Sequence, residues 1–119
     1  MERIWLHHYP QGIPAEIDVG QHASLREIFE QTCARHRQRI AFRNLGGTLT
    51  FTEIESATRD FAAYLQQELG MAKGDRLAIM MPNLLQYPVA MFGALHAGLA
   101  VVNCNPLYTA RELEHQLVD

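Results

Sequence analysis

The sequence predicts an α/β domain: a β-hairpin and a βαβ unit with parallel strands, flanked by helices. Three observations carry that expectation. Apolar residues recur at helical spacing behind three Ser/Thr-x-x-Glu pairs, Ser24/Glu27, Thr52/Glu55 and Thr109/Glu112. Short β-favouring runs lie on either side of Gly46-Gly47. Between Leu77 and Ala110 there is no Asp, Glu, Lys or Arg, although the 119 residues hold 10 Lys+Arg and 13 Asp+Glu. A stretch so free of charge, inside an otherwise ordinary composition, is expected in the inner layer of a fold.

In chain order, Tyr9-Pro10-Gln11-Gly12-Ile13-Pro14 resists helix and strand alike, so residues 1–23 are expected to form an extended arm laid on a surface. Residues 24–119 then make an incomplete α/β subdomain of helix, hairpin, helix, strand, helix, strand and truncated helix. Its first helix runs from about Leu25 to Arg37, with Leu25, Ile28, Phe29 and Cys33 on one face. Ile40–Arg43 and Thr48–Phe51 pair as a hairpin turning at Gly46-Gly47, which tolerates positive φ. A second helix spans roughly Glu53 to Leu69, opened by Thr52, striped by Ile54, Ala57, Phe61, Leu65 and Leu69, and closed by Gly70.

Lys73-Gly74-Asp75 makes a turn, and Arg76–Met81, halted by Pro82, reads as a central strand covered on both faces. Val89–Ala97 is apolar or small nearly all round, so it is expected as a helix buried on more than one side, with Pro88 in its first turn and Gly98 at its exit. Ala100–Cys104 supplies the second strand of a βαβ unit. Thr109 caps a last helix that reaches Asp119 without Gly, Pro or a basic last turn, as a truncated helix would.

Composition excludes several classes of function. A net charge of −3 and a pI near 6.0 provide no basic footprint for nucleic acid. Cys33 and Cys104 are isolated and have no C-x-x-C spacing, so they are expected to act as small apolar residues in a reducing cytosol. The charge-free window is broken by Pro82, Asn83, Gln86, Pro88, Asn103, Asn105 and Pro106, which rules out a transmembrane segment there. The opening residues Met1–His8 do not have the apolar stretch of a secretory signal.

No residue pattern assembles an active site. The eight glycines form neither G-x-G-x-x-G nor a Gly-rich loop ending in Lys-Ser/Thr, and Gly93 and Gly98 read as helix packing and a C-cap rather than phosphate contacts. His7-His8 have no neighbouring carboxylate or Cys cluster for a metal, and His22, His36 and His115 are scattered. His96, the one histidine in the charge-free window, is the one candidate there for a shifted pKa, weighed against the favoured reading of a core or edge histidine with one hydrogen bond. Glu53/Glu55 and Glu112/Glu114, two apart on helices, point to different faces, and Arg35, Arg37 and Arg39 cluster at a helix end where cations are favoured.

Three spaced segments resemble the N-terminal region of the adenylate-forming enzymes, the superfamily of acyl-CoA synthetases, luciferases and peptide-synthetase adenylation domains. Leu49-Thr50-Phe51-Thr52-Glu53-Ile54 is similar to the family motif Leu-Thr-Tyr-x-Glu-Leu, with Phe for Tyr and Ile for Leu. Lys73-Gly74-Asp75-Arg76-Leu77-Ala78-Ile79, followed by Met81-Pro82-Asn83, resembles its turn, strand and Pro-Asn exit. Leu95–Pro106 resembles its second core motif. Trp5, the Tyr9-Pro10-x-Gly12-x-Pro14-Ala15-Glu16-Ile17 segment and Asn105-Pro106-Leu107-Tyr108-Thr109-x-Arg111-Glu112-Leu113 are similar to bacterial long-chain fatty acid–CoA ligases.

The resemblance implies a partial N-terminal subdomain of such a ligase, inactive alone. Complete relatives use ATP, Mg2+ and CoA to turn a fatty acid into an acyl-adenylate and then a thioester. The phosphate loop with its Lys, the later acidic motifs and the C-terminal domain with its catalytic Lys have no counterpart here. The expectation is therefore no catalytic, cofactor-binding or metal-ligating residue in this chain. Implied partners are the remainder of the enzyme and a second copy through the N-terminal region, with fatty acid as the parent's substrate. The implied location is cytoplasmic, peripheral at the inner membrane. Two alternatives stay open: a non-catalytic oligomerisation module, and an adenylate-forming enzyme for a different carboxylic acid.

Overall fold

Backbone amides and carbonyls find partners in four helices and two small sheets in the computed structural model, which describes residues 3–118. Met1, Glu2 and the helix end expected at Asp119 lie outside the described residues. The N-terminal segment makes one 3-10 turn, Ile4–His8, and otherwise runs irregularly and largely exposed to Ala23, with Arg3 paired to Glu16.

Helix α1, Leu25–His36, starts where Ser24 Oγ accepts the Glu27 amide and the Glu27 carboxylate accepts the Ala23 amide. Only Phe29 and Cys33 of its expected face are buried; Leu25 and Ile28 stay exposed because among the described residues no second layer lies over them.

Strands β1, Ile40–Asn44, and β2, Gly47–Thr50, pair antiparallel, with an irregularity between Ile40 and Phe42. The turn is Leu45-Gly46 rather than the expected Gly46-Gly47. Asn44 pairs with Gly47, and Leu45 and Gly46 both take positive φ, 46° and 82°, the signature of a type I′ turn that matches the strand twist. Phe51, expected in the strand, is the first residue of α2, Phe51–Gln67. The capping box is Thr50/Glu53, not Thr52/Glu55. Two amides that would otherwise be orphaned in the first turn, Phe51 N–H and Thr52 N–H, donate to the Arg39 and Arg37 carbonyls at 3.1 Å, which lets the helix begin earlier.

Strand β3, Arg76–Ile79, pairs parallel with β4, Ala100–Asn103, across α3, Gln86–Ala97. Pro88 sits in the first turn, and Gly98 at φ 83° ends the helix. Gly74 N–H donates to the Gly98 carbonyl and Ala100 N–H to the Asp75 carbonyl, locking both turns together. Ala62 and Leu65 of α2 meet Ala94, Ala97 and Leu99, with Leu77 and Val101 of the sheet packed against them. A second core joins Phe29 and Cys33 of α1 to Ile54 of α2, backed by Phe92 of α3. Burying a residue such as Ile54 or Leu65 completely contributes about 1.5–3 kcal/mol each.

The strand expected to be covered on both faces is covered on one. Leu77 and Ile79 face the helices, whereas Ala78 and Met80 are exposed. On that second face α4, Ala110–Val118, stands off Arg76, Ala78 and Val102, leaving an open cleft of about 330 Å³ edged by Gln116 and Leu117. Two strands and one short helix are too few to close it.

Candidate functional site

In open α/β sheets ligands bind outside the carboxyl ends of the strands, and here those ends are the segments leaving Ile79 and Asn103. Both carry asparagines that are tied down. Tyr87, in the first turn of α3, donates its hydroxyl to Asn103 Oδ1 at 3.0 Å. Gln116 Nε2 of α4 donates to the Asn103 carbonyl at 3.0 Å, so helices on opposite faces of the sheet grip one residue. Asn105 Oδ1 accepts the Leu107 amide at 3.0 Å, closing a local turn. From the hairpin tip, Asn44 Nδ2 donates to the Asn83 carbonyl at 2.8 Å.

The Asn44–Asn83 bond and Tyr87 border a cleft of about 270 Å³ between hairpin and α3, lined by Phe42, Arg43, Asn44, Asn83, Leu85 and Tyr87, among others. It offers aromatic and apolar walls, amide groups and one guanidinium. Such a surface can hold and orient a ligand; no nucleophile stands there beside a base. The sequence carried these asparagines inside the segments after Pro82 and around Pro106. What it did not reveal is that Tyr87 meets Asn103, 16 positions on.

The other singled-out residues do not converge. His7 and His8 are exposed on the 3-10 turn, and His36 lies near the end of α1, 5.8 Å from the Phe51 ring. Glu53 caps Thr50, while Glu55 pairs with Arg59 at 3.0 Å. The Thr50 amide and hydroxyl hold the Glu53 carboxyl below its ordinary range, and Thr109 does the same to Glu112, through its hydroxyl first and its amide second. Among the described residues no three His, Cys, Asp or Glu are grouped to hold a metal. Cys33 and Cys104 are buried free thiols; desolvation pushes the Cys33 thiol up to about 11, which suits a packing role.

His96 is the exception. Its side chain is 8% exposed, and Nε2 lies 3.0 Å from Glu30 Oε1 of α1. Among the described residues Nδ1 has no partner. Burial lowers the His96 pKa, Arg26 and Arg59 add to that effect, and Glu30 opposes it.

Known proteins share this chain's sequence and fold. It is 59% identical along its whole length to the long-chain-fatty-acid–CoA ligase of Yersinia pestis, and 51% identical to that of Haemophilus influenzae. It spans 21% of the length of each. The N-terminal subdomain of Klebsiella oxytoca NpsA superposes with a TM-score of 0.76 over 80% of this chain and 25% of its own, at 23% identity, a likeness of fold alone. A benzoate CoA ligase from Burkholderia xenovorans LB400 follows with a TM-score of 0.73 at 28% identity, over 78% of this chain and 19% of its own. The family model for AMP-binding enzymes matches residues 29–119, from within helix α1 onward, and the chain belongs to that family.

Proposed function

We propose that this chain is the amino-terminal fifth of an ATP-dependent long-chain fatty acid–CoA ligase and serves as the scaffold on which the rest of its large domain is built. The observation that carries this reading is identity of 59% to one such ligase over every residue of the chain, against 21% of the relative's length. In the complete enzyme a fatty acid carboxylate attacks the α-phosphate of ATP, releasing pyrophosphate, and the CoA thiol then displaces AMP from the acyl-adenylate. Both steps need preorganised cationic and N–H groups around phosphate, with Mg2+ as a charge clamp. On this reading the catalytic, cofactor-binding and metal-ligating residues lie in the remainder of the enzyme, the chain's first partner.

Residues 1–23 act as an arm and residues 24–119 as the subdomain proper. Pairing of two copies through the N-terminal region is supported by the exposure of Ile4, Ile13, Ile17 and Val19 along the arm. The complete protein works in the cytoplasm, peripheral at the inner membrane; among the described residues no helix is long and apolar enough to cross a membrane.

Two experiments test the reading. Incubated with ATP, Mg2+, CoA and palmitate, the chain alone should form neither palmitoyl-CoA nor AMP. Substituted for the corresponding fifth of the Yersinia pestis ligase, it should leave palmitoyl-CoA formation intact. Turnover by the chain alone, or a folded chimera without activity, would overturn the scaffold assignment.

A further inference from the structure

The second core leaves α1 attached to the body by few groups. Phe29 stacks on Phe92 with ring centroids 4.0 Å apart, Cys33 is buried beside them, and Glu30 reaches His96 between the two helices. None of the α1 residues enters the larger core built on α2, α3 and the parallel sheet.

Charge from two neighbouring elements acts on His96. From α1 come Glu30 and Arg26, already paired with each other at 3.1 Å. From α2 comes Arg59, paired with Glu55 at 3.0 Å. An imidazolium at this place would have to share a carboxylate already taken by one guanidinium, with a second guanidinium nearby and almost no water. Neutral imidazole suffers none of this. Position at the C-terminal turn of α3, like Glu30, favours the cation against burial and the two guanidiniums.

We propose that His96 is a proton-controlled joint: neutral, it lets α1 pack on α3; protonated, it loosens α1 from the α2–α3 pair while leaving the larger core intact. The sign follows from linkage. The folded chain disfavours the proton, so the joint contributes fully above the ordinary histidine range near 6.5 and weakens as pH falls from there through the lowered folded value. Within that window one proton changes the opening equilibrium by up to about tenfold per pH unit.

Amide hydrogen exchange of the chain between pH 8 and 5, corrected for intrinsic rates, tests the joint. Protection of Leu25–His36 should fall with pH while Phe51–Gln67 and Gln86–Ala97 keep theirs, and His96→Gln should remove the α1 dependence. NMR titration of the His96 ring in the unaltered chain provides a readout that needs no variant: the midpoint should lie below 6.5, and Arg26→Gln should raise it. A midpoint at or above the ordinary value, α1 protection indifferent to pH, or the same pH dependence in His96→Gln would each overturn the proposal.

Discussion

Phe61 of α2 packs directly onto Gly93 of α3: a methyl group at Gly93 would fall 2.7 Å from the ring carbon Cδ1, and 3.3 Å from both Phe61 Cβ and the Thr58 carbonyl oxygen. The ring could rotate away, but the Cβ and the carbonyl move only with helix α2 itself. Close approach of these two helices therefore depends on the missing side chain.

Gly93→Ala should destabilise the chain by about 1–3 kcal/mol, the usual range for overpacking, even though alanine is the better helix former by about 1 kcal/mol. Urea unfolding would measure it. If the loss comes from the Phe61 contact, adding Phe61→Leu should return part of it, a coupling that independent sites would not exhibit.

Leu45 points the other way. It holds φ 46° at the hairpin tip with 93% of its surface exposed, so it bears the left-handed strain of a branched residue and gains almost no burial. Leu45→Asn, which creates Asn-Gly at a type I′ turn, should raise stability by about 0.5–1 kcal/mol in thermal or urea unfolding. No change would mean the turn tolerates leucine without strain.

Thr50→Ala removes the hydroxyl that accepts the Glu53 amide and should cost about 1 kcal/mol. It should also weaken acid sensitivity. Glu53 is held below its ordinary 4.5 in the fold, so its contribution is complete above that value and is lost as pH falls through the lowered one. Carbon-13 titration of the Glu53 carboxyl should show its midpoint move upward in the variant.

With its thiol pushed up to about 11 and its side chain sealed between helices, Cys33 should resist alkylation by iodoacetamide at pH 8 in the folded chain and react freely in urea. Mass mapping of the two cysteines before and after unfolding would decide it. Rapid native labelling at Cys33 would mean that α1 opens readily even above the His96 window.

Local signals determined much of this fold. Ser24 and Thr109 open helices where the Ser/Thr-x-x-Glu spacing puts them, because that interaction is complete within four residues. Gly98 takes the left-handed conformation required at a helix exit, and the two β-favouring runs around α3 pair parallel as the length of a βαβ unit demands. The family motifs are also linear, so membership in the AMP-binding enzymes is written in the order of residues.

Tertiary structure decided what linear spacing leaves open. Thr50/Glu53 and Thr52/Glu55 are equally good capping boxes in sequence; the Arg37 and Arg39 carbonyls choose the first by satisfying the Phe51 and Thr52 amides. The α1 stripe of Leu25, Ile28, Phe29 and Cys33 is continuous in sequence, yet only the half facing Ile54 and Phe92 is buried. The charge-free window identified an inner layer, but which of its faces is covered depends on elements supplied from elsewhere in the chain. Tyr87 on Asn103 and His96 on Glu30 belong to the same class, being contacts between side chains far apart in sequence. Periodicity fixes which way a residue points along its own element, and only packing fixes what it meets there.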